Sequence, residues 1–503
     1  MGRPPGDAQA QVRRNSDEAA VQLRLAVDLF KRGSLVKALD AADRAIALGG
    51  DVTMARKFKA VVHVELGDAP AAVACFRAIQ PETRDPRTQS RLLVMMQYCD
   101  SVSESEIFAE AKNWASTHAS RIAPRVTWPR VAFDPGRRLS IGIVSADFRL
   151  SSTPFLALPL FEHWPPDWTV TLYSSGEAPD EWTDRFRRTC ANFVDIEGCN
   201  DEEASARILR DRIDVLIDLN GHTWSGRLGI FARKPAPVQI AWLDYVGTTG
   251  LATMDAIIAD AGHLPLADQC WYVEPIRHVR DNLYRYQPPD GAPAVGPLPA
   301  ARNGFVTFGC FNAPFKLSET TLSLWAGILS ALPSTRLVLS ARPYRFAGTR
   351  QRFRRLFAKH GLDPKRVDIR PGASHPIDML RAYGAIDIAL DPFPYSGGLT
   401  TIEALYMGVP VVTVPGRRFG SRHASVHLRT AGLADWIAPD IVSYAGLAVR
   451  KAADLEALAA VRGALRARME GSALMDGPAL AADFSKIVRG LWIEACRKAG
   501  WLG

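Results

Sequence analysis

From Glu18 onward the chain alternates apolar and polar positions with a helical period. LRLAVDLFKRGSLVKALDAADRAIALGG predicts two amphipathic helices joined at Gly33, and ARKFKAVVHVELGDAPAAVACFRAIQ repeats that pair. Gly33 and Gly67 stand 34 residues apart, as do Ala38 and Ala72, which are small residues suited to helix crossings. RLLVMMQYCDSVSESEIFAEAKNWASTHA extends the helical region, with Ser103 or Ser105 placed to cap a helix carrying Ile107, Phe108 and Trp114. Pro124, Pro129 and Pro135 then mark a boundary. Beyond Arg138 the period changes. LSIGIVS, WTVTLYS, IDVLIDL, VQIAWL and DAIIA are short apolar runs without alternation, as expected of strands buried on both faces of a parallel sheet. A Pro/Gly/Ala stretch, QPPDGAPAVGPLPAARNG, interrupts them, and FVTFGC, TRLVLSA, RVDIR, IDIALD and VPVVTV form a second set.

These patterns divide the chain into a disordered lead-in at residues 1–16 and a helical region at 17–124, whose 34-residue period is that of tetratricopeptide repeats. A first Rossmann-like half spans 136–286, a linker 287–303 and a second Rossmann-like half 304–485. The final helix, at 486–503, carries Leu491, Trp492 and Trp501. Two repeats are few for a free solenoid, so they are expected to stack on the region C-terminal to them.

Composition narrows the function. Hydrophobic residues make up 47% and charged residues 23%, the balance of a globular protein. The net charge of +8 is scattered, without a basic run interleaved with aromatics, so no nucleic-acid partner is expected. No apolar run is long enough to span a bilayer, and the N-terminus lacks a signal-peptide core, which points to the cytoplasm. The seven cysteines show no CxxC spacing and read as reduced thiols. Neither half has GxGxxG after its first strand, and GxxxxGKS/T is missing, which argues against a dinucleotide oxidoreductase and a P-loop ATPase.

The chemistry concentrates in residues 386–416, IDIALDPFPYSGGLTTIEALYMGVPVVTVPG, a strand, a glycine turn, a short helix and a second strand. Gly397 and Gly398 let backbone approach a ligand, and Leu399, Thr400 and Thr401 present amides and hydroxyls at a helix N-terminus, an anion site. Glu403, one turn on, suits a pair of sugar hydroxyls. Tandem Rossmann halves with this turn predict a GT-B fold, in which two Rossmann-like domains face a cleft, acting on a nucleotide sugar. In DLNGHT, Asp218 and His222 follow an apolar strand at its carboxyl end, and a carboxylate beside an imidazole is a common way to fix the tautomer of an acid/base group.

SADFR (145–149), DLNGHT (218–223), FARKPAPVQIAWLDYVGTTG (231–250), FGCFNAPFK (308–316), DPFPYSGGLTTIEALYMGVPVVT (391–413) and RFGSRHASVHLRTAGL (418–433) occur in one order. Together they resemble bacterial members of the SPINDLY / O-linked N-acetylglucosamine transferase family, glycosyltransferase family 41. The resemblance implies an inverting transfer without metal or cofactor, from UDP-N-acetylglucosamine to Ser/Thr hydroxyls of a protein or peptide acceptor.

Residue by residue, the resemblance places Lys316 against the donor diphosphate, where a fixed ammonium stabilises the departing charge. It places Gly398, Leu399 and Thr400 on the pyrophosphate, Glu403 on the ribose, and Ser374, His375, Met379 and Arg381 around base and ribose. His222, with Asp218, falls near sugar and acceptor. Three positions depart from the family: Ser151 stands where relatives carry a histidine, Ala313 where they often carry glutamine, and Met379 where animal relatives have histidine. Those departures leave two alternatives: a protein O-fucosyltransferase using GDP-fucose, as in SPINDLY-type relatives, or a weakly catalytic scaffold of repeats and GT-B body. His63, His118, His163, His263, His278, His360, His423 and His427 form no constellation in the sequence, and no metal site is expected. Oligomeric state is left open.

Overall fold

The computed structural model describes residues 5–79, 85–128 and 133–500. Pro129, Trp501 and residues 1–4 of the expected lead-in lie outside them. The chain forms two compact units. One comprises the chain up to Ser101 together with Gly296–Tyr395 and Pro439–Ala459; the other comprises Val102–Val295, Ser396–Ala438 and the chain from Ala460 onward.

Among the described residues the strands are β1 (Leu139–Ser145), β2 (Trp168–Ser174), β3 (Asn192–Asp195), β4 (Val215–Asp218), β5 (Val238–Ala241), β6 (Ala256–Asp260) and β7 (Ile276–Val279). They continue with β8 (Thr307–Cys310), β9 (Arg336–Ala341), β10 (Val367–Pro371), β11 (Ile388–Leu390) and β12 (Val411–Val412).

In the unit that begins at Val102, one sheet runs β3-β2-β1-β4-β5-β6-β7, all parallel. The order reverses between β1 and β4, so the crevice beyond their carboxyl ends is a topological switch point. Strand β4 is buried at every position, which is why its sequence shows no alternation. The helix Glu104–His118 belongs to this unit, although its sequence continues the helical region. Ser103 caps it in a full capping box with Glu106, in agreement with its sequence.

In the other unit, helices Pro5–Lys31, Leu35–Ala47, Val52–Leu66, Ala69–Ile79 and Pro86–Met96 follow one another. The first begins inside the segment expected to be disordered: Pro5 supplies an N-terminal start, and the Ala, Gln, Arg and Glu residues after it are good helix formers. Ala38 and Ala72 are fully buried at the crossings, and Gly33 and Gly67 take positive φ of 77° and 73° at the turns. Strands run β10-β9-β8-β11, all parallel.

The expected linker at 287–303 is partly helical, at Pro299–Asn303. The buried Asp387 carboxylate accepts the amides of Ala300 and Thr307, both at 2.8 Å, and so ties that segment to β8. The final helix starts earlier than its sequence suggests, at Gly477, with Asp476 capping it. All seven cysteines are free thiols. No helix among the described residues is long and apolar enough to cross a membrane.

Candidate active site

Because β8, β9, β10 and β11 are parallel, the segments after β8, β10 and β11 all leave the same edge. Lys316 closes the 3-10 turn Pro314–Lys316 that comes after β8. Its ammonium donates to Asn312 Oδ1 at 3.2 Å and lies 4.6 Å from the centre of the Tyr395 ring. Burial pushes the Lys316 amine down to about 8, with Asp391 acting in the opposite direction. The hydroxyls of Ser318 and Thr321 both donate to the Phe393 carbonyl, at 2.6 and 2.7 Å, so the loop carrying Tyr395 is fixed to the turn carrying Lys316.

The helical repeats hold that turn from behind. A Cβ on Gly67 would meet Pro314 Cβ at 2.6 Å and the Phe353 ring at 2.9 Å, on top of the strain of its positive φ. Tyr98 packs on Phe315 and Tyr395, with ring centres 4.7 and 4.8 Å apart. Asp68 pairs with Arg352 at 3.0 Å. Ala313, where relatives often carry glutamine, is the N-cap of the lysine's turn and makes no side-chain cap there.

Ser374, His375, Met379 and Arg381 come after β10. His375 caps the helix Pro376–Ala382, its Nδ1 accepting the Ile377 amide at 3.3 Å, and Arg381 pairs with Asp378 at 2.8 Å. Ser374, His375 and Arg381 are exposed and Met379 is half-buried, so this edge is open to a ligand.

In the second unit, Gly398 is the N-cap of the helix Leu399–Tyr406. The amides of Thr401 and Ile402 both reach the Gly398 carbonyl. Ser396 pins the turn, its hydroxyl donating to the Gly420 carbonyl at 3.1 Å and accepting the Ala424 amide at 3.2 Å. Leu399 and Thr400 are half-buried and Glu403 is buried on the same helix.

Asp218 and His222 both lie at or beyond the end of β4, but they do not pair. The Asp218 carboxylate accepts the amides of Asn220 at 3.1 Å and Gly221 at 3.0 Å, because the chain turns there with Gly221 at φ 52°. His222 donates through Nε2 to the Thr249 carbonyl at 3.0 Å. The ring is fully buried between the edges of Trp114 and Tyr245, with centres 5.0 and 5.2 Å away. Burial drives the imidazole down to about 3 and the Asp218 carboxyl up to about 7. Buried Glu274 in turn holds the Thr249 loop, accepting the Thr249 amide at 2.7 Å and the Thr248 hydroxyl at 2.6 Å.

Sequence reasoning missed the polar group at the switch point itself. Asn220 accepts the Ala146 amide at 2.8 Å, and its Nδ2 donates to Asp147 at 2.5 Å and to Asp244 at 3.3 Å. The Thr153 hydroxyl also donates to Asp244, at 3.0 Å. Burial raises the Asp147 carboxyl and raises Asp244 much further, where the charge on Asp147 adds to the effect. The two carboxyls share the one side-chain amide of Asn220. The signal was the spacing of SADFR, DLNGHT and WLDYVG: each places a polar residue just past an apolar strand. Ser151, in the place of the family histidine, accepts the Thr153 amide at 3.1 Å and so starts the helix Thr153–Phe161.

Comparison with known proteins finds relatives over most of the chain. The model of glycosyl transferase family 41 matches residues 121–285 and 299–484. The Petunia hybrida protein named "Probable UDP-N-acetylglucosamine--peptide N-acetylglucosaminyltransferase SPINDLY" is 36% identical over 423 residues, 83% of this chain and 45% of the relative. The Arabidopsis thaliana protein of the same name is 36% identical over 425 residues, 83% of this chain and 46% of the relative. The chain thus spans about half the length of the curated relatives it matches. A solved mutant of the Thermobaculum terrenum O-GlcNAc transferase superposes with a TM-score of 0.88 at 31% identity, covering 96% of this chain and 92% of that one. With a helical N-terminal region, two parallel α/β sheets of GT-B type and these matches, the chain belongs to glycosyltransferase family 41, the family of SPINDLY and the O-GlcNAc transferases.

Proposed function

We propose that this protein transfers N-acetylglucosamine from UDP-N-acetylglucosamine to Ser/Thr hydroxyls of a protein or peptide acceptor, with inversion and without a metal in the chemical step. The observation that carries the reading is Lys316, a lysine fixed by Asn312 and Tyr395 at the carboxyl end of β8. Negative charge develops on the departing UDP, and a preoriented ammonium at that point stabilises the transition state more than the ground state. Amides at Gly398, Leu399 and Thr400 take the pyrophosphate, Glu403 takes the ribose, and Ser374, His375, Met379 and Arg381 line the base side.

For the acceptor proton the geometry favours Asp147 over His222. A half-buried carboxylate with a raised pKa is the better base, whereas an imidazole held near 3 is a weak one. His222 then acts as a positioning residue that holds the Thr249 loop, and Asp218 shapes the turn before it.

A thermal-shift panel of UDP, GDP and dTDP sugars, followed by peptide transfer, tests the reading. UDP and UDP-N-acetylglucosamine should raise the melting temperature, and Lys316→Ala should abolish transfer while leaving the fold intact. A shift with GDP-fucose and none with UDP would replace the donor. No shift with any nucleotide would leave the binding scaffold.

A further inference from the structure

Three histidines that the sequence left unconnected meet inside the second unit. His423 and His427 lie one turn apart on the helix His423–Thr430, hence on one face of it. His263 comes after β6. One ring nitrogen from each lies within 4.8 Å of the other two, and the side chains are 0%, 3% and 0% exposed for His263, His423 and His427.

The two nitrogens of these rings are treated differently. Nδ1 of His263 meets the Asp260 carboxylate at 2.6 Å, whereas Nδ1 of His427 accepts from the side-chain amide of Asn282 at 2.9 Å, so ligation through Nε2 of His427 requires that amide to turn over and present its oxygen. Nε2 of His263 and Nε2 of His427 are buried with no hydrogen-bond partner. Buried imidazoles that serve only packing normally satisfy both nitrogens. Here Nδ1 of His263 and Nδ1 of His427 each meet a polar side chain, and the Nε2 atoms of those two rings do not. A carboxylate on the far nitrogen of a histidine is the usual support of a metal ligand.

The spacing fits. Ring centres are 5.1 Å apart for His263–His423, 5.5 Å for His263–His427 and 6.2 Å for His423–His427. Three imidazoles on a tetrahedral ion with bonds of about 2.0–2.1 Å place their ring centres about 5 Å apart. Phe419 stacks on His263 at 5.2 Å, and Tyr284 sets its ring edge-on to His423 and His427, giving the group an apolar wall. An all-imidazole set suits zinc and its neighbours in the first transition row; magnesium and calcium require oxygen ligands.

We propose that His263, His423 and His427 form a structural site for one zinc-class divalent cation, with Asp260 and Asn282 as its supporting shell. The cation ties the loop after β6 to the helix His423–Thr430. A Cβ on Gly398 would lie 3.9 Å from the His423 ring, so the same tie braces the glycine turn that starts the helix Leu399–Tyr406. This site is separate from the chemical step, which takes its positive charge from Lys316.

The test uses the full-length, tag-free protein stripped with a chelator and dialysed. Titration with zinc should show one equivalent bound and a raised melting temperature. Cobalt should give the strong visible absorption of a four-coordinate site. His423→Gln and His427→Gln should each lose about 100-fold or more in zinc affinity. Asn282→Asp, which offers an oxygen to the His427 Nδ1 proton in either orientation, should tighten binding. Far-ultraviolet dichroism and the UDP-induced thermal shift serve as folding controls for each variant, so failure of the metal site is separable from failure of the nucleotide site. Absence of stoichiometric binding to the wild type overturns the proposal, as does undiminished binding by both histidine variants.

Discussion

The Nε2 hydrogen of His222 is bonded to the backbone carbonyl of Thr249 at 3.0 Å. A carbonyl only accepts, so this contact fixes the proton on Nε2, while burial keeps the ring neutral. Burial holds the folded imidazole near 3, whereas an unfolded histidine titrates at about 6.5. Between those values the unfolded chain binds the extra proton, so stability rises with pH across that window and is lost on acidification. Each such proton is worth about 1.4 kcal/mol per pH unit. Denaturation midpoints measured from pH 7 to pH 4 should therefore fall less steeply for His222→Gln, whose amide can still donate to Thr249, than for the wild type. Parallel curves would show that the ring titrates freely in the folded protein.

Lys316 gives a pH dependence of binding. The free amine titrates at about 8, and a diphosphate beside it raises that value, because an anion favours the charged form. Binding then takes up a proton above pH 8, and UDP affinity should fall as pH rises through 8, approaching tenfold per unit. Calorimetry of UDP binding in buffers of different ionisation enthalpy checks this. Lys316→Met should bind UDP more weakly at pH 7 and show no decline between pH 7 and pH 9. An unchanged decline in that variant would assign the titration to another group.

The repeats behave as a buttress for the same lysine. Gly67 meets Pro314, two residues before Lys316, at a separation that leaves no room for a methyl group. Gly67→Ala adds the strain of a positive φ to that clash, a combined cost of about 1–3 kcal/mol. Beyond a lowered melting temperature, it should weaken UDP binding by displacing the Pro314–Lys316 turn. Gly49→Ala is the control, since that glycine also has a positive φ but nothing within 4 Å of its Cβ position. Equal effects of both variants on UDP affinity would remove the buttress.

Much of this architecture was legible in the chain. Runs such as Val215–Asp218 form parallel strands because residues buried on both faces cannot alternate. Gly33 and Gly67 mark repeat turns because each adopts positive φ. Side-chain partners were less legible, since they depend on where loops from distant strands meet. Asp218 and His222 are four residues apart, yet the positive φ of Gly221 intervenes and sends the carboxylate to backbone amides. His263 lies 160 residues before His423, and only the i, i+4 pair His423/His427 was a local sign of the cluster. At the N-terminus two local signals compete. Polarity predicts a disordered lead-in, but the helix propensity of the residues after Pro5 prevails.

Asp147 and Asp244 offer the sharpest test of the acceptor side. Both lie against Asn220 Nδ2, and the deeper one, Asp244, has its carboxyl raised well above the ordinary range by burial and then by the charge on Asp147. Since Asp244 is raised the further of the two, the test takes Asp244 as the protonated partner and Asp147 as the ionised one, with the Thr153 hydroxyl bonded to Asp244. Asp244→Asn is then a neutral copy of a neutral group. It should leave transfer within a few fold of wild type and raise stability at alkaline pH, where the native Asp244 would be forced to ionise. Asp147→Asn removes the carboxylate proposed as the base and should lower kcat by about 10²–10⁴ with UDP affinity unchanged. The pH profile of kcat in Asp244→Asn should keep its acidic limb, because the titrating Asp147 remains. Single-turnover transfer to a peptide, measured for both variants across pH 5 to 9, decides the matter. If the two lose activity equally, the carboxyls serve only to shape the switch point, and the base must be sought on another strand end.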